Sequence, residues 1–350
     1  MAVGPHHQPR MLTDGEREVW RQRSEASRVA KSAALRGELE PLHELNVPKL
    51  NPYDLMPQVE PRDGGASSLF SGGGGLDLGF SRAGFIHNAS FEILRPAAET
   101  LRLAMSEGEV FGGSDGDVTD VDWRLWKGAE VVHGGPPCQP FSVAGRQQGI
   151  DDERNMWPAF VDCVLKVRPR AFIAENVPAL ASNKFKQYVS EHIIEPLSAH
   201  YYVKQFVLKA EDFGIPQTRR RVFFVGFSRK KDADRFRAPS ATHYWGRDNA
   251  QGGLAPCMGV REALGLPDID FDALSPTIRS TLTGPRHTTS ILNSVAAQRT
   301  FAALEVWPNG VAPTREKARA FPAANGHFRL SVPDVAILQG FPEDWPFAGA

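Results

Sequence analysis

Residues 134–141 read Gly-Gly-Pro-Pro-Cys-Gln-Pro-Phe and follow an apolar pair, Val131 and Val132. Glycine and proline together fix a tight, extended turn at the end of a strand. A cysteine that only packs in a core does not need such a turn, whereas a nucleophile needs a held geometry. This segment, called the cysteine turn below, therefore indicates Cys138 as a catalytic nucleophile.

A second segment could bind a ligand. It is called the glycine loop, comprises residues 70–75, and reads Phe-Ser-Gly-Gly-Gly-Gly between a predicted strand and a predicted helix. Such a loop lets backbone approach a ligand, although dinucleotides use similar loops. Glu92 ends the next predicted strand, where a carboxylate can bind a ribose diol. Asp117 can bind an exocyclic amine, or it is an ordinary turn aspartate. A nucleoside without a pyrophosphate fits this set, and S-adenosylmethionine is such a ligand.

Short apolar segments alternate with helical patterns through the middle of the chain. This alternation predicts an α/β fold with a Rossmann-like parallel sheet covered on both faces. The predicted strands are residues 66–70, 89–93, 130–132, 171–174 and 221–226.

Composition bounds the class of protein. The chain has 350 residues, 41% of them hydrophobic, and a formal net charge of −1, so it is not a uniformly basic nucleic-acid binder. It contains neither an apolar run long enough to cross a bilayer nor a signal-peptide core, which predicts no membrane association. The three cysteines match no disulfide or zinc pattern, which favours a reducing, cytoplasmic compartment. Cys163 is predicted to pack in the core, and Cys257 is predicted to pack either in the core or within a loop.

Three further segments complete a recognisable order. They are Glu175-Asn176-Val177, the Gln217–Arg221 segment with its Gln-x-Arg-x-Arg pattern, and Arg329–Phe347. Together with the glycine loop and the cysteine turn, this order resembles the DNA (cytosine-5) methyltransferase family of bacterial restriction-modification systems. The resemblance covers residues 66–228 and 326–347.

The resemblance implies a methyltransferase that uses S-adenosylmethionine and a covalent intermediate. Cys138 would add to C6 of cytosine, because C5 is otherwise too weak a nucleophile. Glu175 would contact N3 and the amino group, and Arg221 together with Arg219 would contact O2 and phosphate. The residues predicted to hold the cofactor are Phe70, Ser71, Gly72, Gly74, Gly75, Leu76, Glu92, Asp117 and Pro137.

The target atom lies inside a stacked duplex, so such an enzyme flips the base out of the helix. Residues 142–155 are expected to form a loop that closes on double-stranded DNA. Within and beside this loop, Gln139 and Ser142 are candidates for the vacated space, and Arg146 and Arg154 for phosphate contacts. The predicted residues of the target-recognition region are Arg279 and Arg286, since arginine in a loop can read guanine.

Four segments follow from this interpretation: an N-terminal extension at 1–62, a catalytic and cofactor-binding domain at 63–228, a smaller, irregular target-recognition domain at 229–325, and a returning segment at 326–350. The Gly-Asn-x-Val-Pro segment that usually closes the family is absent. A second polypeptide that supplies it is therefore one candidate partner, and a cognate restriction endonuclease is another. The alternatives left open are a non-catalytic or split DNA-binding subunit and a relative acting on tRNA.

Overall fold

The computed structural model describes residues 13–38, 40–105, 107–137, 155–246, 252–278, 291–292, 294–320 and 326–349. The chain divides into two compact units. The smaller unit comprises Met1–Val47 and Arg279–Val332, and the larger comprises Pro48–Ile278 and Pro333–Ala350.

The strands and helices are numbered in chain order. The strands are β1 (Gly65–Leu69), β2 (Ile86–Glu92), β3 (Glu109–Gly112), β4 (Val131–Gly134), β5 (Ala171–Asn176), β6 (Tyr202–Lys209), β7 (Gln217–Thr218), β8 (Arg220–Phe227), β9 (His243–Tyr244), β10 (Ala255–Pro256), β11 (Ser275–Pro276), β12 (Val306–Ala312) and β13 (Phe328–Ser331). The α-helices are α1 (Asp14–Leu35), α2 (Pro52–Leu55), α3 (Gly75–Arg82), α4 (Arg95–Ala104), α5 (Trp157–Val167), α6 (Lys186–Val189), α7 (Glu195–Ser198), α8 (Lys230–Arg235), α9 (Val260–Ala263), α10 (Val295–Ala303), α11 (Arg315–Ala320) and α12 (Val332–Leu338).

The larger unit is built on a seven-stranded sheet with the order β3-β2-β1-β4-β5-β8-β6. The strands β3, β2, β1, β4 and β5 run parallel, as the alternating pattern predicts. The predicted parallel sheet is confirmed for these strands, but the last predicted strand, β8, differs because it pairs antiparallel with both β5 and β6. β8 follows β6 closely in the chain, and strands joined by a short connection pair antiparallel.

All five predicted strands are confirmed, and two other strands of the seven-stranded sheet were missed. Strand β3 is short and none of its residues is fully buried, so it carries little of the apolar signal of a central strand. Strand β6 lies at a sheet edge and contains exposed and half-buried residues but no fully buried ones. Central strand β4, in contrast, is buried along its whole length, as expected for a strand covered on both faces.

Residues of the sheet and of helices α5, α6 and α7 build an apolar cluster. Its largest fully buried side chains are aromatic, and their rings meet edge to face, as Trp157 does with Phe224 at a centroid distance of 5.2 Å. The cluster's largest members are Phe91, Trp123, Trp157, Phe160, Phe172 and Phe224. This core fixes the strands whose ends carry the candidate site.

The smaller unit joins the N-terminal segment to residues 294–332. Strands β12 and β13 pair in parallel, and helix α1 contacts α11. His43 reaches the Gly326 carbonyl at 2.8 Å, and Arg319 Nε donates to the His43 carbonyl at 3.1 Å. The N-terminal segment is thus held in this unit by hydrogen bonds from both directions.

The two units do not coincide with the four segments predicted from the sequence. Residues 48–62 belong to the larger unit, where Lys49 N donates to the Ala263 carbonyl at 3.0 Å and Val59 N to the Arg82 carbonyl at 2.8 Å. Residues 229–278 also belong to the larger unit. The assignment of segments to catalysis or target recognition stays a prediction.

Candidate active site and cofactor cradle

The carboxyl ends of the central parallel strands meet at one edge of the sheet. Leu69 of β1 lies beside Phe91 of β2 and Gly134 of β4, and Gly134 lies beside Ala174 of β5. The glycine loop, Glu92, the cysteine turn and Glu175 all follow these positions. Open α/β sheets bind their ligands at this edge.

The glycine loop turns sharply between β1 and α3. Phe70, Gly72 and Gly74 adopt left-handed backbone conformations, with φ of 54°, 56° and 88°. For a residue with a side chain this conformation is strained, so Phe70 marks a backbone held by its surroundings. Ser71 helps to hold it, because its hydroxyl donates to the Ser68 hydroxyl at 2.8 Å.

Glu92 fastens the glycine loop to the end of β2. One carboxylate oxygen accepts from Gly72 N at 2.7 Å, and the other accepts from Leu94 N at 2.8 Å. The residue is buried, but a carboxylate oxygen accepts more than one hydrogen bond. Glu92 is thus held beside the loop with acceptor capacity left for hydroxyl groups.

Aromatic residues from the C-terminal segment pack closely against three of the loop's glycines. A methyl group on Gly73 would lie 3.3 Å from the Phe347 ring, and one on Gly75 would lie 3.3 Å from the Phe341 ring. A methyl group on Gly74 would lie 2.9 Å from Leu101 and 3.1 Å from Trp345. These contacts give the predicted cofactor residues Gly74 and Gly75 a packing role, which the sequence interpretation missed.

Trp345 also bonds to the loop, because its indole Nε1 donates to the Gly73 carbonyl at 2.9 Å. The C-terminal residues 333–350 therefore belong with the sheet and cover one side of the glycine loop. In the sequence, the close spacing of Phe341, Trp345 and Phe347 was the one sign that this segment packs against another part of the protein, because clustered aromatic side chains are usually buried by packing.

Gly72 differs from its neighbours. A methyl group there would meet no atom of the described residues within 4 Å, so this part of the loop faces open space. Beside it, Ile93 and Leu94 are more than half exposed at the end of β2. An open backbone turn, a fixed carboxylate and an apolar surface fit the ribose and base of S-adenosylmethionine.

The remaining predicted cofactor residues are less distinctive. Leu76 and Pro137 are half-buried. Asp117 is also half-buried, and its Oδ1 accepts from the backbone and hydroxyl of Thr119 at 3.0 and 2.7 Å. This is the turn arrangement that the sequence left open as an alternative, and it leaves the role of Asp117 in cofactor binding a prediction.

Glu175, Arg219 and Arg221 meet at the end of β5. Arg221 Nε lies 2.6 Å from Glu175 Oε1, and Arg219 lies 3.6 Å from the same oxygen. The antiparallel direction of β8 causes this meeting, because it places the amino end of β8 beside the carboxyl end of β5. The three side chains are between 20% and 35% exposed, so the cluster is shielded but open to a ligand.

The second oxygen of Glu175 faces the cysteine turn. A methyl group on Gly135 would lie 3.3 Å from Glu175 Oε2. The neighbouring Asn176 is buried and donates through Nδ2 to the Pro136 carbonyl at 3.0 Å. Glu175 therefore lies between the guanidinium groups on one side and the backbone leading to Cys138 on the other.

Cys138 and the predicted DNA-contacting residues lie outside the described residues. The latter are Gln139, Ser142, Arg146, Arg154, Arg279 and Arg286. Of the other two cysteines, Cys163 belongs to the core cluster and Cys257 is buried, which confirms that both have packing positions. Burial raises the pKa of the Cys257 thiol to about 12 and raises the pKa of Cys163 well above its ordinary value, so neither thiol is suited to nucleophilic attack.

Polar side chains that the sequence analysis did not single out are buried in this unit. Asp77 of α3 lies 3.2 Å from His87 Nε2 and accepts from the Ser90 hydroxyl at 3.1 Å. Burial raises the pKa of Asp77 to about 6 and lowers the pKa of His87. His133 of β4 is fully buried, and burial, followed by the nearby His87, lowers its pKa to about 3.

The sheet order and the ligand cradle at its carboxyl edge define a Rossmann-like α/β fold of the S-adenosylmethionine-dependent methyltransferase type. A solved structure supports this fold, namely a protein described as a DNA modification methyltransferase encoded within an E. coli prophage. It matches with a TM-score of 0.52 and 24% identity, over 82% of this chain and 91% of that one.

The model of the C-5 cytosine-specific DNA methylase family matches residues 66–350. The chain therefore belongs to the C-5 cytosine-specific DNA methylases, a family that uses S-adenosylmethionine. Among its relatives, the type II methyltransferase M.NgoMIV of Neisseria gonorrhoeae is 32% identical over 80% of this chain and 87% of its own. M.NaeI of Lentzea aerocolonigenes is 32% identical over 80% of this chain and 67% of its own.

No helix among the described residues combines the length and the apolar character that crossing a bilayer requires.

Proposed function

We propose that the chain methylates C5 of a cytosine in a specific duplex DNA sequence, through a transient bond between Cys138 and C6 of a flipped base. The observation that carries this proposal is the position of Glu175. Its carboxylate is held by Arg221 at 2.6 Å and faces Gly135 of the cysteine turn. A polar cluster beside a candidate nucleophile is what addition to a pyrimidine requires.

Cys138, having lost its proton to solvent, bonds to C6, and the C5–C6 electron pair moves towards C5 and the N3–O2 side of the ring. When bound, S-adenosylmethionine supplies an electrophilic methyl group on a sulfonium sulfur. C5 takes that methyl group, and the sulfur keeps the bonding pair. Loss of the C5 proton to water and departure of the thiolate then restore the double bond.

Glu175 and the two arginines would act on the ring's polar edge. Glu175 Oε2 is the oxygen turned towards the cysteine turn, so it is the one proposed to contact N3 and the amino group. Arg221 fixes the other oxygen and, together with Arg219, supplies donors for O2 and phosphate. Preorganised charges of this kind stabilise the charge that develops on the ring during addition.

Methyl transfer to duplex DNA with a labelled cofactor tests the proposal. Cys138→Ser should abolish transfer, whereas Cys257→Ala, which removes a buried thiol elsewhere, should retain it. A duplex containing 5-fluorocytosine should trap a covalent complex with the wild type but not with Cys138→Ser, because fluorine cannot leave as the proton does. Normal turnover by Cys138→Ser would disprove the mechanism.

The remaining partner assignments belong to the same proposal. Double-stranded DNA is the proposed substrate, and a cognate restriction endonuclease is proposed because the relatives are type II methyltransferases. A cytoplasmic location follows from this role. The second polypeptide that would supply the missing closing segment stays a prediction. Calorimetry of S-adenosylmethionine binding by the chain alone would test it. Bisulfite sequencing of DNA from cells that express the chain would report the target sequence.

A further inference from the structure

Ser68 is a polar residue of β1, two positions before the glycine loop, and its side chain is 1% exposed. Its hydroxyl accepts from the Ser71 hydroxyl at 2.8 Å. In the parallel register with β2 it lies beside Ser90, which is also fully buried, so both hydroxyls belong to one face of the sheet. Ser68 thus joins the buried sheet to the loop.

The hydroxyls of Ser68 and Ser90 share one acceptor, Asp77 of α3. This carboxyl is fully buried, and Ser90 donates to its Oδ1 at 3.1 Å. Burial raises the pKa of Asp77 to about 6, and hydrogen bonds from the Ser68 and Ser90 hydroxyls oppose that rise. At pH 8 the carboxylate can therefore only accept. The one proton of the Ser68 hydroxyl then points to Asp77, and its lone pairs are left for Ser71.

Ser71 is the residue at which these hydroxyl groups meet the backbone of the glycine loop. Its carbonyl accepts from Gly74 N at 3.1 Å. Gly72, the next residue, has a left-handed backbone, donates to Glu92 at 2.7 Å, and faces open space. A tether from Ser68 to the Ser71 side chain therefore also restrains the turn that faces a ligand.

We propose that Ser68 is a positioning residue for S-adenosylmethionine: its hydroxyl, fixed by buried Asp77, holds Ser71 and with it the backbone turn that receives the cofactor. This inference rests on the proposed binding of that cofactor at the glycine loop. A turn that is already held in its binding conformation needs less ordering when the ligand binds. The loss of one such hydrogen bond corresponds to about three- to tenfold in affinity.

Ser90 supplies a matched control for the test. Among the described residues, its hydroxyl hydrogen-bonds to Asp77 and His87 and to no residue of the glycine loop. It lies on the strand next to Ser68 and is buried to the same degree. Ser68→Ala and Ser90→Ala therefore remove similar hydrogen bonds from one carboxylate, and only Ser68→Ala also releases the loop.

Calorimetry of S-adenosylmethionine binding by the whole chain at pH 8 measures the effect. Ser68→Ala should weaken binding about three- to tenfold, whereas Ser90→Ala should keep the wild-type affinity while lowering the melting temperature by a similar amount. Ser67→Ala should also keep the wild-type affinity, because this buried hydroxyl has no hydrogen-bond partner among the described residues. Equal affinities of Ser68→Ala and Ser90→Ala would overturn the proposal.

A double variant tests the route through Ser71. Ser71→Ala should weaken binding at least as much as Ser68→Ala does. Adding Ser68→Ala to Ser71→Ala should cost no further affinity, because the tether between the two side chains is already lost. Additive losses, or a smaller loss in Ser71→Ala than in Ser68→Ala, would contradict this route.

Amide hydrogen exchange without cofactor tests the tether itself. The amides of Gly72 and Gly74, which are hydrogen-bonded in the loop, should exchange at least threefold faster in Ser68→Ala than in the wild type and at the wild-type rate in Ser90→Ala. Unchanged exchange in Ser68→Ala would refute the tether. A wild-type chain that binds no S-adenosylmethionine contradicts the proposed function instead, and the exchange rates then still decide whether Ser68 holds the loop.

Discussion

Replacement of His133 by leucine should make the larger unit less sensitive to acid. The imidazole is fully buried in β4 and stacks on Phe80 at a centroid distance of 4.0 Å with an interplanar angle of 5°. Neither ring nitrogen has a hydrogen-bond partner among the described residues. A proton on this ring would therefore be a charge in an apolar site with nothing to stabilise it.

The magnitude follows from the pKa difference between the folded and the unfolded chain. The pKa of His133 is 6.5 when unperturbed and is lowered to about 3 in the fold. Below pH 6.5 the unfolded chain thus binds more protons at this position, so stability falls as the pH falls towards 3. Between pH 8 and pH 5 the loss attributable to His133 is about 2 kcal/mol.

Asp77 works in the opposite direction. Its pKa is raised from 3.8 to about 6, so the folded chain keeps a proton that the unfolded chain has lost, and stability rises as the pH falls through this range. This contribution is present in both the wild type and His133→Leu. It therefore cancels when the two pH dependences are compared.

Urea unfolding at pH 8 and pH 5, followed by the fluorescence of buried Trp123 and Trp157, measures the effect. The wild type should lose about 2 kcal/mol more than His133→Leu between the two pH values. Any packing cost of leucine is the same at both pH values and drops out of the difference. The exposed His200→Leu is the control and should follow the wild type; if His133→Leu does so as well, the reasoning is refuted.

Two further predictions concern the strand ends and the glycine loop. Gly134→Ala should destabilise the larger unit by about 2 kcal/mol or more, as measured by urea unfolding, because the added methyl group would lie 2.4 Å from the Leu69 carbonyl oxygen. Gly79→Ala is the control: a methyl group on Gly79, within α3, would meet open space, so this variant should be as stable as the wild type or more stable. Comparable stability of the two variants would contradict this. Trp345→Phe should weaken S-adenosylmethionine binding about fivefold by calorimetry, since it removes the donor to the Gly73 carbonyl; unchanged affinity would show that this bond does not shape the cradle.

Local sequence was sufficient for the elements with strong patterns. The glycine loop and the apolar strands each carry their own signal, because turn residues and continuous apolar runs reflect backbone conformation and burial directly. The buried polar residues carried no such signal. His87, Ser90 and His133 are polar residues within strands, and they are buried only because neighbouring strands and α3 cover them.

The packing of the C-terminal aromatic residues on the glycine loop could not be predicted from the sequence either. Phe341, Trp345 and Phe347 are distant from residues 73–75 in sequence, and nothing in their local pattern specifies what they pack against. The structure shows that they pack closely against three of the loop's glycines. Close approach between distant segments is a property of the packed fold alone.

The sequence by itself determined which chemical groups the chain offers and that most of them follow strand ends, because residue type and local periodicity are written in the chain. The direction of β8 was decided only by the tertiary structure. A parallel β8 would have placed Arg219 and Arg221 at the edge of the sheet opposite Glu175. Antiparallel pairing with β5 brings the guanidinium of Arg221 to 2.6 Å from that carboxylate, and strand pairing is settled by the packing of the whole sheet.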